Sequence, residues 1–328
     1  MLEKILIAQP RGFCAGVDRA ITIVEAALVR HGAPVYVRHE IVHNRHVNDV
    51  LVAKGAIIVE ETDEIPVGAV AILSAHGVPK KVYEEAQQRS LQIYDATCPL
   101  VTKVHGEAKR FHDQLYSIVM IGHRGHQEVI GTMGQVPDVM LVESVEDVEK
   151  LEVSDPSKVA VITQTTLSVD DTRSIMEALK TRFPEMHLPP RQDICYATQN
   201  RQDAVKELVK HCELVLVVGA EHSSNSCRLR DVSLDAGVES YLIPDKMGLK
   251  REWFEGIQTV GLTSGASVPE DLVRGVVDQI QEWFSEAREE VLLVVVEKAQ
   301  FALPKELVGF GGLGSMQFLK FLQKLKRG

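Results

Sequence analysis

Cysteine is scarce in this 328-residue sequence, and its count of five is odd. A disulfide framework is therefore not expected; the thiols are candidates for core packing, metal ligation or nucleophilic work. Positive charge is also in deficit: 36 Lys and Arg face 46 Asp and Glu, a net charge of −10. That excludes the basic electrostatic footprint of a nucleic-acid-binding protein. No apolar run approaches the roughly 18 residues of a membrane span; short ones such as Val291–Val296 are the longest. The first residues, Met-Leu-Glu-Lys-Ile-Leu-Ile, lack the apolar stretch of a signal peptide. A cytoplasmic, monomeric protein with reduced thiols is the expectation. No Walker A sequence and no Pro/Gly/Ser-rich linker is present.

What is present is ordinary globular composition, 45% hydrophobic and 25% charged, arranged as short apolar strands alternating with helical patterns. That alternation predicts an α/β fold with mainly parallel sheets. A threefold repeat runs beneath it: a strand-like run, a cysteine, then an amphipathic helix. Lys4–Ala8 leads to Cys14 and a helix from Ala15; Leu91–Asp95 leads to Cys98 and a helix from Pro99; Asp193-Ile leads to Cys195 and a helix from Tyr196. Further strands in each unit end in polar loops. These hold His43 and His76 in the first unit, His126 and Thr165 in the second, and Ser223 to Asn225 and Ser267 in the third. Ligands of open parallel sheets bind beyond the carboxyl ends of strands, so three units facing one centre would gather all of these residues. The expected units are 1–96, 97–193 and 194–285, with a tail over 286–328; the N-terminal strand is a candidate partner for the third unit.

Each of Cys14, Cys98 and Cys195 opens a helix, where backbone amides favour a thiolate. Their separations, 84 and 97 residues, match no local cluster motif, and a single thiol is most often an inert core residue. The shared structural position argues for a common role, and thiolates are the usual ligands of iron–sulfur clusters. Three ligands on a four-iron cluster would leave one iron open as a Lewis acid, which suits reductive removal of a hydroxyl group. Cys212, before a strand, and Cys227, within a helix, do not share the position.

Two motifs are misleading. His39-Glu-Ile-Val-His43 fits the zinc-protease pattern, but it follows a strand. Extended, its histidines stand roughly 13 Å apart, too far for one zinc. Gly309-Phe-Gly-Gly-Leu-Gly314 fits a dinucleotide fingerprint but has too little chain after it for a βαβ unit. Ser315–Arg327 reads as a basic amphipathic helix.

The polar loops read as an anion site. Ser223-Ser-Asn225 precedes a helix, so its hydroxyls, amide and backbone N–H groups suit a phosphate, although helix capping alone selects the same residue types. Glu128, two residues after His126, is either a general acid or a first-turn glutamate favoured by the helix dipole.

The sequence resembles the 4-hydroxy-3-methylbut-2-enyl diphosphate reductase family. The resemblance is carried by Pro10-Arg-Gly-Phe-Cys-Ala-Gly-Val-Asp18, Val37-Arg-His-Glu-Ile-Val-His-Asn44, Ser74-Ala-His-Gly77 and Asp95-Ala-Thr-Cys-Pro-Leu-Val-Thr-Lys-Val-His105. Gly122 to Glu128, Thr163 to Asp171, Asp193-Ile-Cys-Tyr-Ala-Thr198, Ser223-Ser-Asn-Ser226 and Gly265-Ala-Ser267 extend it, so that it covers about residues 4 to 285. It implies a trefoil of three α/β units around one 4Fe-4S cluster held by Cys14, Cys98 and Cys195. It implies that His43, His76, His126, Ser223, Ser224, Asn225 and Ser267 bind an allylic diphosphate, that Thr165 bonds near its hydroxyl, and that Glu128 supplies a proton. The products would be isopentenyl and dimethylallyl diphosphate, at the end of the methylerythritol phosphate route to isoprenoids. Without a convincing flavin or nicotinamide site, electrons would come from ferredoxin or flavodoxin. A cluster-dependent dehydratase and a diphosphate-binding redox sensor are the competing readings.

Overall fold

The structure, a computed structural model, describes residues 2–189 and 193–310. The first strand, β1 (Lys4–Gln9), is followed by α1 (Ala15–His31), whose N-cap is Cys14. Next come β2 (Val35–Arg38), α2 (Arg45–Ala53), β3 (Ala56–Val59), β4 (Val70–Leu73), α3 (Lys80–Gln88) and β5 (Gln92–Asp95). The second unit runs α4 (Pro99–Asp113), β6 (Ser117–Ile121), α5 (Gln127–Met133), β7 (Met140–Val142), α6 (Val145–Glu149), β8 (Val159–Thr163) and α7 (Val169–Arg182). The third runs α8 (Tyr196–Leu208), β9 (Leu214–Val218), α9 (Ser224–Asp235), β10 (Glu239–Ile243), β11 (Thr259–Ser264), α10 (Glu270–Trp283) and β12 (Arg288–Leu293).

These strands form three parallel sheets, ordered β3-β2-β4-β5, β7-β6-β8 and β10-β9-β11-β1-β12. The α/β fold with parallel sheets expected from the strand–helix alternation, and the trefoil that the resemblance implies, are the fold observed. Central strands bury both faces, and β9 shows it: all five residues of Leu-Val-Leu-Val-Val are buried. Helices cover the sheets with apolar stripes. In α10, Val273, Val276, Val277 and Ile280 recur at helical spacing and are fully buried, each contributing up to about 1.5–3 kcal/mol.

The N-terminal strand β1 pairs not with the first sheet but with β11 of the third, Lys4 opposite Thr259. The residues after 285 begin with a strand, since β12 pairs with β1 on its other side. As an edge strand, β12 carries Arg288, Glu289 and Glu290, charges that blunt pairing with another chain. The basic helix expected over Ser315–Arg327 and most of the Gly309–Gly314 motif lie outside the described residues.

Parallel strands place all their carboxyl ends on one side of a sheet. The three sheets turn those ends toward a common centre, where the loops after β2, β4, β6, β8, β9 and β11 meet.

Candidate active site

A central cavity of about 100 Å³ is lined by residues of all three units. Cys14, Cys98, Cys195, His43, His76, His126, Glu128, Thr165, Ser223, Ser224, Asn225 and Ser267 all line it, so the structure brings together every candidate residue. Val17, Val42, Ala75, Val101, Ala197 and Ala266 supply an apolar wall.

The three cysteines are the N-caps of α1, α4 and α8, as their place in the repeat predicts. In α4, Pro99 follows directly, at a position where its missing N–H costs nothing. The Cys195 Sγ accepts the backbone N–H of Thr198 at 3.3 Å and lies 3.1 Å from its Oγ1. Burial raises the Cys98 thiol to about 12 and the Cys195 thiol to about 11, with the Cys14 charge adding to both. Two thiols so raised are stable as thiolates only beside a cation. Gly16 shows how closely they converge: a Cβ there would lie 2.7 Å from the Cys98 Sγ and 3.8 Å from that of Cys14. The donor set and the space thus fit a thiolate-held cluster. Cys212 is buried before β9, its Sγ donating to the Leu208 carbonyl at 3.2 Å. Cys227, on α9, is not a core residue: it faces a neighbouring cleft between the second and third units.

The histidines form a second group. His43 and His76 stack with ring centroids 4.0 Å apart, and His126 meets His43 edge-on at 5.5 Å. Burial holds His76 well below its ordinary pKa, and burial lowers His126 to about 3, with the His43 and His123 charges acting in the same direction. His126 Nδ1 accepts the Glu128 backbone N–H at 3.1 Å, which leaves the ring's proton on Nε2. Nε2 of His43, Nδ1 of His76 and both amide atoms of Asn225 are buried without a hydrogen-bond partner, and Nδ1 of His43 has only the Glu40 carboxylate, 3.8 Å away. Buried polar atoms are normally paired, so this cluster is built for a polar ligand. His39, by contrast, turns away to pair with Glu60 at 2.7 Å, and His39 to His43 is not helical. The zinc-protease pattern is therefore accidental, as its strand context predicts.

Glu128 sits between the two groups, 6% exposed. Its carboxyl accepts the Thr165 backbone N–H at 3.0 Å and the Thr165 hydroxyl at 2.9 Å. Burial raises its pKa, and the Thr165 bonds and the His43 charge oppose the rise. Ser223 is the N-cap of α9 and accepts from the Ser226 N–H at 3.4 Å, so capping is one of its roles. The Ser267 hydroxyl donates to the His43 carbonyl at 3.1 Å, joining the first and third units.

Sequence reasoning missed several contributors. Thr198 bonds the sulfur of Cys195, which lines the cavity; its place three residues after the N-cap was the available signal. Gln164 donates to Thr166 Oγ1 at 2.7 Å and to Ser224 Oγ at 3.4 Å, tying the Thr165 loop to α9. His222 lies 3.2 Å from Glu40 across the first and third units, a contact with no local sequence signal.

Residues 5–281 match the family model for the LytB protein. A 4-hydroxy-3-methylbut-2-enyl diphosphate reductase of Azoarcus sp. (strain BH72) is 56% identical over 93% of this chain and 98% of that protein. The enzyme of that name from Mycolicibacterium vanbaalenii is 54% identical over 93% and 91% of the two chains. Among solved structures, the E-1-hydroxy-2-methyl-but-2-enyl-4-diphosphate reductase of Plasmodium falciparum superposes with a TM-score of 0.91. Its identity is 37%, covering 94% of this chain and 98% of that one.

Proposed function

This chain belongs to the LytB family of 4-hydroxy-3-methylbut-2-enyl diphosphate reductases, and from that premise we propose how its residues carry the reaction. The activity is that of an iron–sulfur oxidoreductase at the terminal step of the non-mevalonate pathway. The reaction takes two electrons and two protons, breaks the carbon–oxygen bond of the allylic alcohol, and yields isopentenyl or dimethylallyl diphosphate and water. The observation that carries the reading is the joining, in one cavity, of three thiols with a set of unpartnered anion-binding groups.

Cys14, Cys98 and Cys195 would hold a single 4Fe-4S cluster, which supplies electrons and polarises the departing hydroxyl. The diphosphate is held by His43, His76 and His126 with Asn225, Ser223, Ser224 and Ser267. The Nε2–H of His126 is a donor by virtue of its tautomer, and the N-terminus of α9 adds its dipole. Hydroxide leaves poorly, so the hydroxyl must be protonated as the bond breaks. Glu128 is the acid: burial keeps its proton available above the usual carboxylate range. Thr165 orients that carboxyl through two donors. The apolar wall gives the carbon skeleton of the substrate a surface to lie against. Ferredoxin or flavodoxin is the proposed electron donor.

The test is anaerobic purification with iron and sulfide counts, followed by an assay with and without reductant. Product only with reductant supports the reading; turnover without it identifies a dehydratase. No turnover despite substrate binding identifies a sensor. Asn225→Ala should raise KM by about 10–100-fold with little change in kcat, the loss of about 1.5–3 kcal/mol of bonding to a charged group. An unchanged KM removes Asn225 from the diphosphate site.

A further inference from the structure

We propose that Arg19 and Arg201 are positioning residues for the three thiolates, and that the segment after β12 is the clamp holding both guanidinium groups. The proposal rests on the reading that Cys14, Cys98 and Cys195 hold the cluster.

Arg201 lies on α8 and its side chain is fully buried. It donates to the Gly12 carbonyl at 2.7 Å and to the Ala197 carbonyl at 2.9 Å. Gly12 stands two residues before Cys14, and Ala197 two residues after Cys195. One planar fork therefore spans the chain beside two of the three cysteines. Gly12 is held on its other side as well, its N–H donating to Ser264 Oγ at 2.9 Å, with a φ of +70° that favours glycine. Arg19, on the helix opened by Cys14, donates to the Thr97 carbonyl at 3.2 Å, next to Cys98. Together the two arginines link all three cysteine segments.

Both are held by the same stretch of chain. Glu297 accepts from Arg201 Nη1 and from Asn200 Nδ2, each at 3.0 Å. The Ala302 carbonyl accepts from Arg19 Nε at 2.8 Å. Beyond these points, Leu303 and Leu307 pack into the core of the first unit. The segment thus runs from the edge of the third sheet, past α8 and α1, and is anchored at both ends.

A buried ion pair is a weak device for stability alone, because desolvation offsets its attraction. Its value lies in directionality. A guanidinium fork fixes two acceptors in one plane, as a lysine cannot, and the acceptors here flank the ligands.

The test uses full-length holoenzyme purified anaerobically, wild type and Arg19→Lys, Arg201→Lys and Glu297→Gln. All should reach wild-type iron and sulfide content after reconstitution. The arginine variants should show a shifted or broadened EPR signal after dithionite reduction and several-fold faster iron release to a chelator. Glu297→Gln should show the same changes to a smaller degree. Wild-type EPR and wild-type iron release would overturn the proposal, whatever happens to Tm. If an arginine variant fails to fold, Glu297→Gln carries the test, since it leaves both arginines in place. Undiminished cluster content in Cys14→Ser, Cys98→Ser and Cys195→Ser would instead bring down the cluster reading, and the proposal with it.

Discussion

Glutamine at Glu128 is expected to lower turnover by about 10²–10⁴-fold while leaving KM nearly unchanged, the range a positioned proton donor contributes. The substitution preserves shape, and the amide oxygen can still accept from Thr165. What it removes is the acidic proton. The check is steady-state kinetics under anaerobic conditions with a chemical reductant. Turnover within a few-fold of wild type would sink the acid role. The pH profile gives a second readout. The wild-type rate needs the protonated carboxyl, so it should fall as pH rises through the raised pKa of Glu128, and this limb should vanish in the variant. The sign for stability follows from the same shift. Burial favours the neutral acid, so ionising Glu128 costs the folded state more than the unfolded one. That cost is absent at low pH and grows as pH passes from the ordinary carboxyl range through the raised value. Glu128→Gln should therefore lose little or no stability at alkaline pH, and its Tm below the raised pKa, where the fall in rate is expected, separates lost chemistry from unfolding.

Serine at Cys98 is expected to strip the cluster and with it the activity, leaving a folded chain. The loss should exceed the about 10–100-fold in affinity that removing an outer partner of a metal ligand costs, because a ligand itself is removed. Iron and sulfide counts with the visible spectrum decide it. Cys212→Ser is the matched control: its sulfur lies under Gly261 and donates to the Leu208 carbonyl, away from the cavity. It should keep its full iron content. Gly16→Val probes the same geometry from the other side. Any Cβ meets the Cys98 sulfur at 2.7 Å, so cluster content should fall although every thiol remains. A normal iron count in Cys98→Ser would mean that the three cysteines are not the ligand set.

Much of the fold was legible because its signals are local. The strand Leu214–Val218 is a continuous apolar run, and a doubly covered parallel strand needs one. The helix from Pro99 announces itself by a proline at its first position. His43, His76, His126, Thr165, Asn225 and Ser267 were found because each follows a strand, and parallel sheets put such loops on one side. Arg201 was not legible. In sequence it is one more charged residue on an amphipathic helix, and its burial depends on Gly12 and Glu297, each far away in the chain. The same holds for His222 and Glu40, which meet only because two units face each other.

The sequence alone therefore determined the element types, the threefold repeat and the equivalence of Cys14, Cys98 and Cys195, since periodicity and helix-start chemistry act over a few residues. Only the tertiary structure decided that β1 joins the third sheet, that β12 extends it, and that the chain beyond returns past Arg201 and Arg19 to the first core. Those choices depend on packing between segments 96 or more residues apart. It is this packing, rather than any motif, that brings three separate thiols to one cavity.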